Sequence, residues 1–309
     1  MPIALGRLRV LKPGRLRWLR ALAWMIALFF ICIATFGASM EIIQQLIPKS
    51  ELGLRFLGHC IGVLIMLGIY SLLVRLGEAR WPTELAIRPA PFEPFSGAVI
   101  GAAMFTVVMA VLAGCGLYHV TYTGPASAWA AAGKAIEAGV VEELAVRGIM
   151  LRLLWRAFGP GPAFLVSALA FGGSHLFNPE SSLLAAICVM LEAGIMLGAF
   201  YALTGRLWMS IGVHAAWNFT QGYLFGAAVS GTELGPAIAR SVPSPDLPSW
   251  LSGGAFGPEA SLPALVVCTA VGAAVLWRAW TLGMLRSHSD TNEPRALAPS
   301  LSQPATACV

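Results

Sequence analysis

The chain has 309 residues, 57% of them hydrophobic and only 11% charged, with a formal net charge of +5. A soluble domain carries about a quarter charged residues, so this composition cannot cover a water-facing surface and excludes an ordinary soluble enzyme. The positive excess forms no basic patch of the kind that binds nucleic acid; it reads as a topology signal.

The first 20 residues hold Arg7, Arg9, Lys12, Arg15, Arg17 and Arg20 and no acid, which predicts a basic cytoplasmic tail. The apolar run behind it is too long for a signal-peptide core and lacks a clean Ala-x-Ala site, so it reads as an uncleaved first helix. Apolar segments of roughly the 20 residues needed to cross a bilayer recur near 21–46, 52–74, 96–117, 127–152, 160–177, 182–204, 207–227 and 261–285. The expected fold is an all-α membrane protein, a polytopic bundle of about eight transmembrane helices with both termini cytoplasmic. Alternation puts Arg75, Arg80, Arg88, Arg152, Arg156, Arg206, Arg286 and Arg295 on the cytoplasmic side. The outside receives only Lys49, Arg55 and Arg240, as the positive-inside rule requires. Residues 21–286 are then one multi-pass domain, and 287–309 a polar cytoplasmic tail.

Residues 75–95 are a proline-rich cytoplasmic loop, and 228–260, rich in Gly, Pro and Ser, read as a flexible outer connector. The six cysteines are scattered without a Cys-x-x-Cys pair, which weakens metal, redox and disulfide readings. No internal repeat of the transporter kind is visible.

The fourth span carries Glu142, Glu143 and Arg147. An ionisable side chain near the bilayer centre costs about 3 kcal/mol, tolerated where charges pair, face a polar cavity or do chemistry. Glu143 and Arg147, four apart, share a helix face and can neutralise each other. Glu142 is rotated from Glu143 by about 100° and is left to face something else. The bland alternative is a purely structural charge cluster. Lys134 and Glu137, three apart, read as a simple intrahelical pair. Glu192 is a lone acid in the sixth span, with Arg147 a candidate partner.

Two later spans each bring a histidine: Phe171 and His175 share one face of the fifth, His214 and Asn218 one face of the seventh. A single membrane histidine is most often a packing residue, so depth carries the argument. Counted from the predicted cytoplasmic ends, Glu142 lies about 15 Å deep, His175 about 22 Å, His214 about 12 Å and Asn218 about 18 Å. All four fall around the middle of a core about 30 Å thick. A carboxylate, two imidazoles and a carboxamide suit acyl transfer to water. The carboxylate takes the water's proton, an imidazole orients the water, and His and Asn N–H groups stabilise the oxyanion. No Gly-x-Ser-x-Gly elbow or catalytic-cysteine signature indicates a side-chain nucleophile.

At these residues the chain resembles the CPBP family, the CAAX protease and bacteriocin-processing (Abi-type) group of intramembrane glutamic endopeptidases. The family carries Glu-Glu-x-x-x-Arg, Phe-x-x-x-His and His-x-x-x-Asn in that order on separate membrane helices. Glu142-Glu143 with Arg147, Phe171 with His175, and His214 with Asn218 match all three. The resemblance covers about residues 125–225 and departs at Val146, where the family usually has an aromatic residue. It implies Glu142 as the water-activating base with His175 beside it, His214 and Asn218 as the oxyanion hole, and Glu143 with Arg147 in support. It implies no metal and no cofactor.

The expected partners are a membrane-associated protein or peptide substrate and the lipid bilayer, with no nucleic acid. The Ala-, Gly- and Arg-rich composition points to the inner membrane of a bacterium and away from prenylated substrates. Two competing readings stay open: a zinc metalloprotease built on a His2Glu set from the same groups, and a transporter, scaffold or immunity-type partner using the polar cluster as a ligand site.

Overall fold

The computed structural model describes residues 3–285; the predicted polar tail, with Arg286 and Arg295, lies outside them. Among the described residues, five helices are long and apolar enough to cross a membrane: Arg17–Leu46 (α1), Leu52–Glu78 (α2), Phe92–Gly114 (α3), Leu183–Thr204 and Leu262–Thr281. They account for five of the eight predicted spans.

The other three predicted spans are helical but broken or short. The fourth is α4 (Trp129–Glu143), a π-helical turn Leu144–Leu151 and α5 (Arg152–Phe158). The fifth is α6 (Pro160–Ser174), 15 residues long, or about 22 Å at 1.5 Å per residue, which is less than the hydrocarbon thickness. Leu183–Thr204 is itself divided into α7 (Leu183–Val189), a π-helical turn Met190–Ile195 and α8 (Met196–Thr204). The seventh is α9 (Trp208–Phe219), ending in a π-helical turn Thr220–Leu224. Wide turns of this kind cluster at functional sites, and here each lies within a few residues of a chemistry-bearing side chain.

Glycine sets how closely α9 approaches its neighbours. A Cβ on Gly101 of α3 would meet the Val213 carbonyl oxygen at 2.2 Å, and one on Gly97 the Met209 oxygen at 2.3 Å. Close backbone approach through small residues is the usual packing mode of membrane helices, which lack a hydrophobic drive to associate in lipid. Gly139 plays the same part between α4 and α9, where its Cβ would meet Ala215 at 2.9 Å. The outer faces of the bundle remain apolar and exposed, as at Phe30, Leu64 and Val266, which suits contact with lipid.

One end of the bundle is closed by a buried ion network. Arg152 donates to both oxygens of Glu78, at 2.9 and 2.7 Å, and to the Gly148 carbonyl at 2.8 Å. Arg80 donates to Glu78 at 2.7 Å and to both oxygens of Glu84 at 2.8 and 2.9 Å. Tyr70 also donates to Glu84. Burial pushes the Glu84 carboxyl up, but the Arg80 hydrogen bonds and the Arg152 and Arg80 charges outweigh it and hold the group below its ordinary range. The basic N-terminal tail is seated on this end: Leu11 is buried, and its carbonyl accepts from Arg156 at 2.6 Å.

The opposite end departs from the sequence expectation. Strands β1 (Tyr118–Tyr122) and β2 (Ala239–Pro243) form an antiparallel pair, with Tyr118 opposite Pro243 and Tyr122 opposite Ala239. The segment read as a flexible connector is therefore built structure. It continues through a short helix α10 (Ser249–Ser252) and a 3-10 turn Pro258–Ala260 into α11 (Leu262–Thr281). Gly257 has φ +128°, and a Cβ there would meet the Ala228 oxygen at 2.3 Å; only glycine permits that close crossing, which turns Glu259 inward.

Candidate active site

The last turn of α4 presents Glu142 and Glu143 on adjacent faces. Glu143 is fully buried, and its Oε1 accepts from Arg147 Nη1 at 2.8 Å, as the i,i+4 spacing predicts. Arg147 also donates to the carbonyl oxygens of Ala193 at 2.5 Å and Gly194 at 3.3 Å, and its guanidinium lies 4.7 Å from the centre of the Phe171 ring. Arg147, on the π-helical turn Leu144–Leu151, thus ties the fourth span to the π-helical turn of the sixth and is itself fully buried.

Helix α9 brings His214 against both acids. His214 Nδ1 lies 3.0 Å from Glu143 Oε1, and Nε2 lies 3.8 Å from Glu142 Oε2. Glu143 is paired with a guanidinium and accepts, so Nδ1 carries the proton and donates. Glu142 Oε2 is buried with no hydrogen-bond partner, while the side chain as a whole is 37% exposed. This leaves one acid neutralised and fixed and the other with a free oxygen beside an imidazole edge.

At the end of α6, His175 Nδ1 donates to the Phe171 carbonyl at 2.8 Å. A carbonyl can only accept, so the neutral ring keeps the lone pair on Nε2. The Phe171 ring packs edge-on against both histidines, 4.8 Å from His175 and 6.3 Å from His214 between ring centres. His175, His214 and Asn218 line one cavity of about 50 Å³, room for a few waters. A wider cavity of about 900 Å³ beside β1 and β2 is lined by none of these residues, so its size marks no chemistry.

Three sequence expectations change. Lys134 does not pair with Glu137: it donates to the Glu233 carbonyl at 3.0 Å, and Glu137 is held by His59 of α2. Arg147 contacts the backbone beside Glu192 and not its carboxylate, and Glu192 Oε1 is buried without a partner. The 228–260 segment contributes Ser230 and Glu259 to the cavity that holds the histidines. Nothing in that Gly/Pro/Ser-rich stretch marked them except an isolated acid just before the last span. At the family departure, Val146 is buried with Phe171, Ala185 and Val189, a packing position.

Among the described residues, no three His, Cys, Asp or Glu side chains converge in a metal-holding arrangement. The donor set suits proton transfer to and from water: a free carboxylate oxygen, a histidine with an available Nε2, and a second histidine and an amide on the same cavity.

No curated protein and no solved structure matches the chain. A family model described as type II CAAX prenyl endopeptidase Rce1-like matches residues 124–220. That interval contains Glu142, Glu143, Arg147, Phe171, His175, His214 and Asn218. Within a helical, membrane-suited chain, residues 124–220 are an Rce1-like domain of the CPBP family.

Proposed function

We propose that the protein is a glutamic intramembrane endopeptidase that hydrolyses a peptide bond of a membrane-associated protein or peptide. The Rce1-like domain implies a membrane peptidase acting on a protein or peptide substrate; the mechanism below is inferred from the residues. Glu142 takes the proton of a water through its unpartnered oxygen, and His175 Nε2 holds the same water from a second direction. The water attacks the scissile carbonyl, and the proton passes to the leaving amine. Asn218 Nδ2 and His214 Nε2 face the oxyanion. Because His214 Nδ1 already donates to Glu143, donation from Nε2 requires the doubly protonated ring. The two neighbouring glutamates supply the counter-charge. Glu143 and Arg147 position that imidazole and do not touch substrate. We place the protein in the inner membrane of a bacterium.

The observation that carries this reading is the position of His214 between the two acids, bonded to Glu143 and 3.8 Å from the free oxygen of Glu142. The test is cleavage of single-span peptides by purified protein in lipid vesicles, compared with Glu142→Gln. Loss of cleavage with unchanged insertion and folding is the expected result; retained cleavage overturns the assignment. Exhaustive chelation separates the zinc alternative, since the proposed chemistry survives it. Solute uptake without proteolysis would favour the transporter reading.

A further inference from the structure

The cavity that holds His175, His214 and Asn218 has a second wall of opposite character. Glu192 and Glu259 line it, and neither takes part in the chemistry above. Glu192 is 4% exposed, on the π-helical turn Met190–Ile195, and its Oε1 is buried with no hydrogen-bond partner. Glu259 is 6% exposed, and its Oε1 accepts from the Ser230 amide at 2.9 Å and the Ser230 hydroxyl at 2.7 Å. Burial pushes the Glu259 carboxyl up, and the Ser230 hydrogen bonds oppose that shift.

A buried carboxylate is normally matched by a cation, and among the described residues every other buried acid has one. Glu78 has Arg152 and Arg80, Glu84 has Arg80, and Glu143 has Arg147. Among the described residues, no lysine or arginine forms an ion pair with Glu192 or Glu259. Arg147, the partner expected for Glu192, is bound instead to Glu143 and to the carbonyls of Ala193 and Gly194. His175 faces the same cavity with its Nδ1 held by the Phe171 carbonyl, and forms no ion pair with either acid. Val189, Met196, Leu197 and Cys268 add apolar lining. Two acids and several apolar side chains on one cavity match a side chain with an aliphatic stem and a charged head.

We propose that Glu192 and Glu259 form the recognition subsite for a cationic side chain, lysine or arginine, of the peptide cleaved at the adjacent Glu142, His175, His214 and Asn218. The head group brings three donors as an ammonium or five as a guanidinium, enough to satisfy the unpartnered Glu192 oxygen and reach Glu259. The 228–260 segment thereby acquires a role, because it delivers one of the two acids. The inference rests on the protease reading and deepens it.

The test uses the full chain in phosphatidylethanolamine–phosphatidylglycerol vesicles. The probes are single-span peptides carrying lysine, arginine, norleucine or glutamate at each position around the cleaved bond. The readout is the ratio of kcat/KM for lysine over norleucine at each position. The wild type is expected to show a ratio above about 10 at one position, which corresponds to about 1.4 kcal/mol of discrimination. In Glu192→Gln and in Glu259→Gln that ratio falls toward one. In Glu192→Lys the order inverts in favour of glutamate. A wild-type ratio near one at every position overturns the proposal without any variant. A ratio retained in both glutamine variants overturns it too, leaving the acids as a proton-sharing tie between the loop and the sixth span. Absence of cleavage of every peptide by the wild type defeats the protease reading, an outcome distinct from cleavage without preference.

Discussion

His214 Nδ1 and Arg147 Nη1 meet on the same oxygen of Glu143, at 3.0 and 2.8 Å, while the other oxygen of that carboxylate has no partner. The adjacent acids are unlike in their partners: Glu143 is fully buried and held by a guanidinium and an imidazole, whereas Glu142 is partly exposed and accepts from neither. Glutamine substitutions separate them. Glu142→Gln should lower kcat by about 10²–10⁴-fold, the worth of a general base, with little change in thermal stability. Glu143→Gln should lower both, because Arg147 is left as an uncompensated buried charge, at about 3–5 kcal/mol. Thermal unfolding in detergent, measured beside the cleavage rate, distinguishes the two.

Asn218→Ala and His214→Ala remove groups assigned to the oxyanion. Each should reduce kcat by about 10²–10³-fold, while KM changes little, because the contact strengthens only in the transition state. A proportional rise in KM at constant kcat would mean that these groups bind ground-state substrate instead.

The Gly101–Val213 approach predicts a steric effect on a site that Gly101 does not line. Gly101→Ala places a methyl 2.2 Å from a backbone oxygen, so α3 and α9 must separate. Destabilisation of about 1–3 kcal/mol and reduced cleavage should follow together. Gly68→Ala is the control, since no atom lies within 4 Å of its Cβ position, and it should be near neutral in both assays.

Acid stability should report Glu84. Its folded carboxyl titrates below the ordinary 4.5, so its contribution is present above that value and is lost as pH falls through the lower folded one. The thermal midpoint of the wild type should fall more steeply below about pH 4.5 than that of Glu84→Gln. The difference between the two proteins should shrink toward zero in stronger acid.

The intramembrane acids and the helical periodicities were legible because they are local. An i,i+4 spacing fixes Glu143 against Arg147, and the same spacing puts His214 and Asn218 on one face. Hydropathy found the five long apolar spans, and the other three predicted segments are helical as well. It sees apolar runs and not whether a helix such as α6 reaches both surfaces. The second acidic wall was hidden, because Glu259 reaches the cavity through a loop crossing at Gly257 that has no periodic signature. The pairing of β1 with β2 was equally hidden: its strands lie more than 100 residues apart, and neither carries a hairpin turn to announce it. The Glu78–Arg152 pair joins residues 74 apart, a relationship that no local pattern contains.

That last pair has a consequence for how the chain is made. During synthesis Glu78 and Glu84 emerge with Arg80 as the one guanidinium between them, and Arg152 follows a good deal later. The Leu11 carbonyl waits longer still, for Arg156, 145 residues on. Until then Glu78 and Glu84 share Arg80, and the bidentate partner that Glu78 has in the finished bundle is still to come. A chain truncated before residue 152 is chemically distinct from the finished bundle.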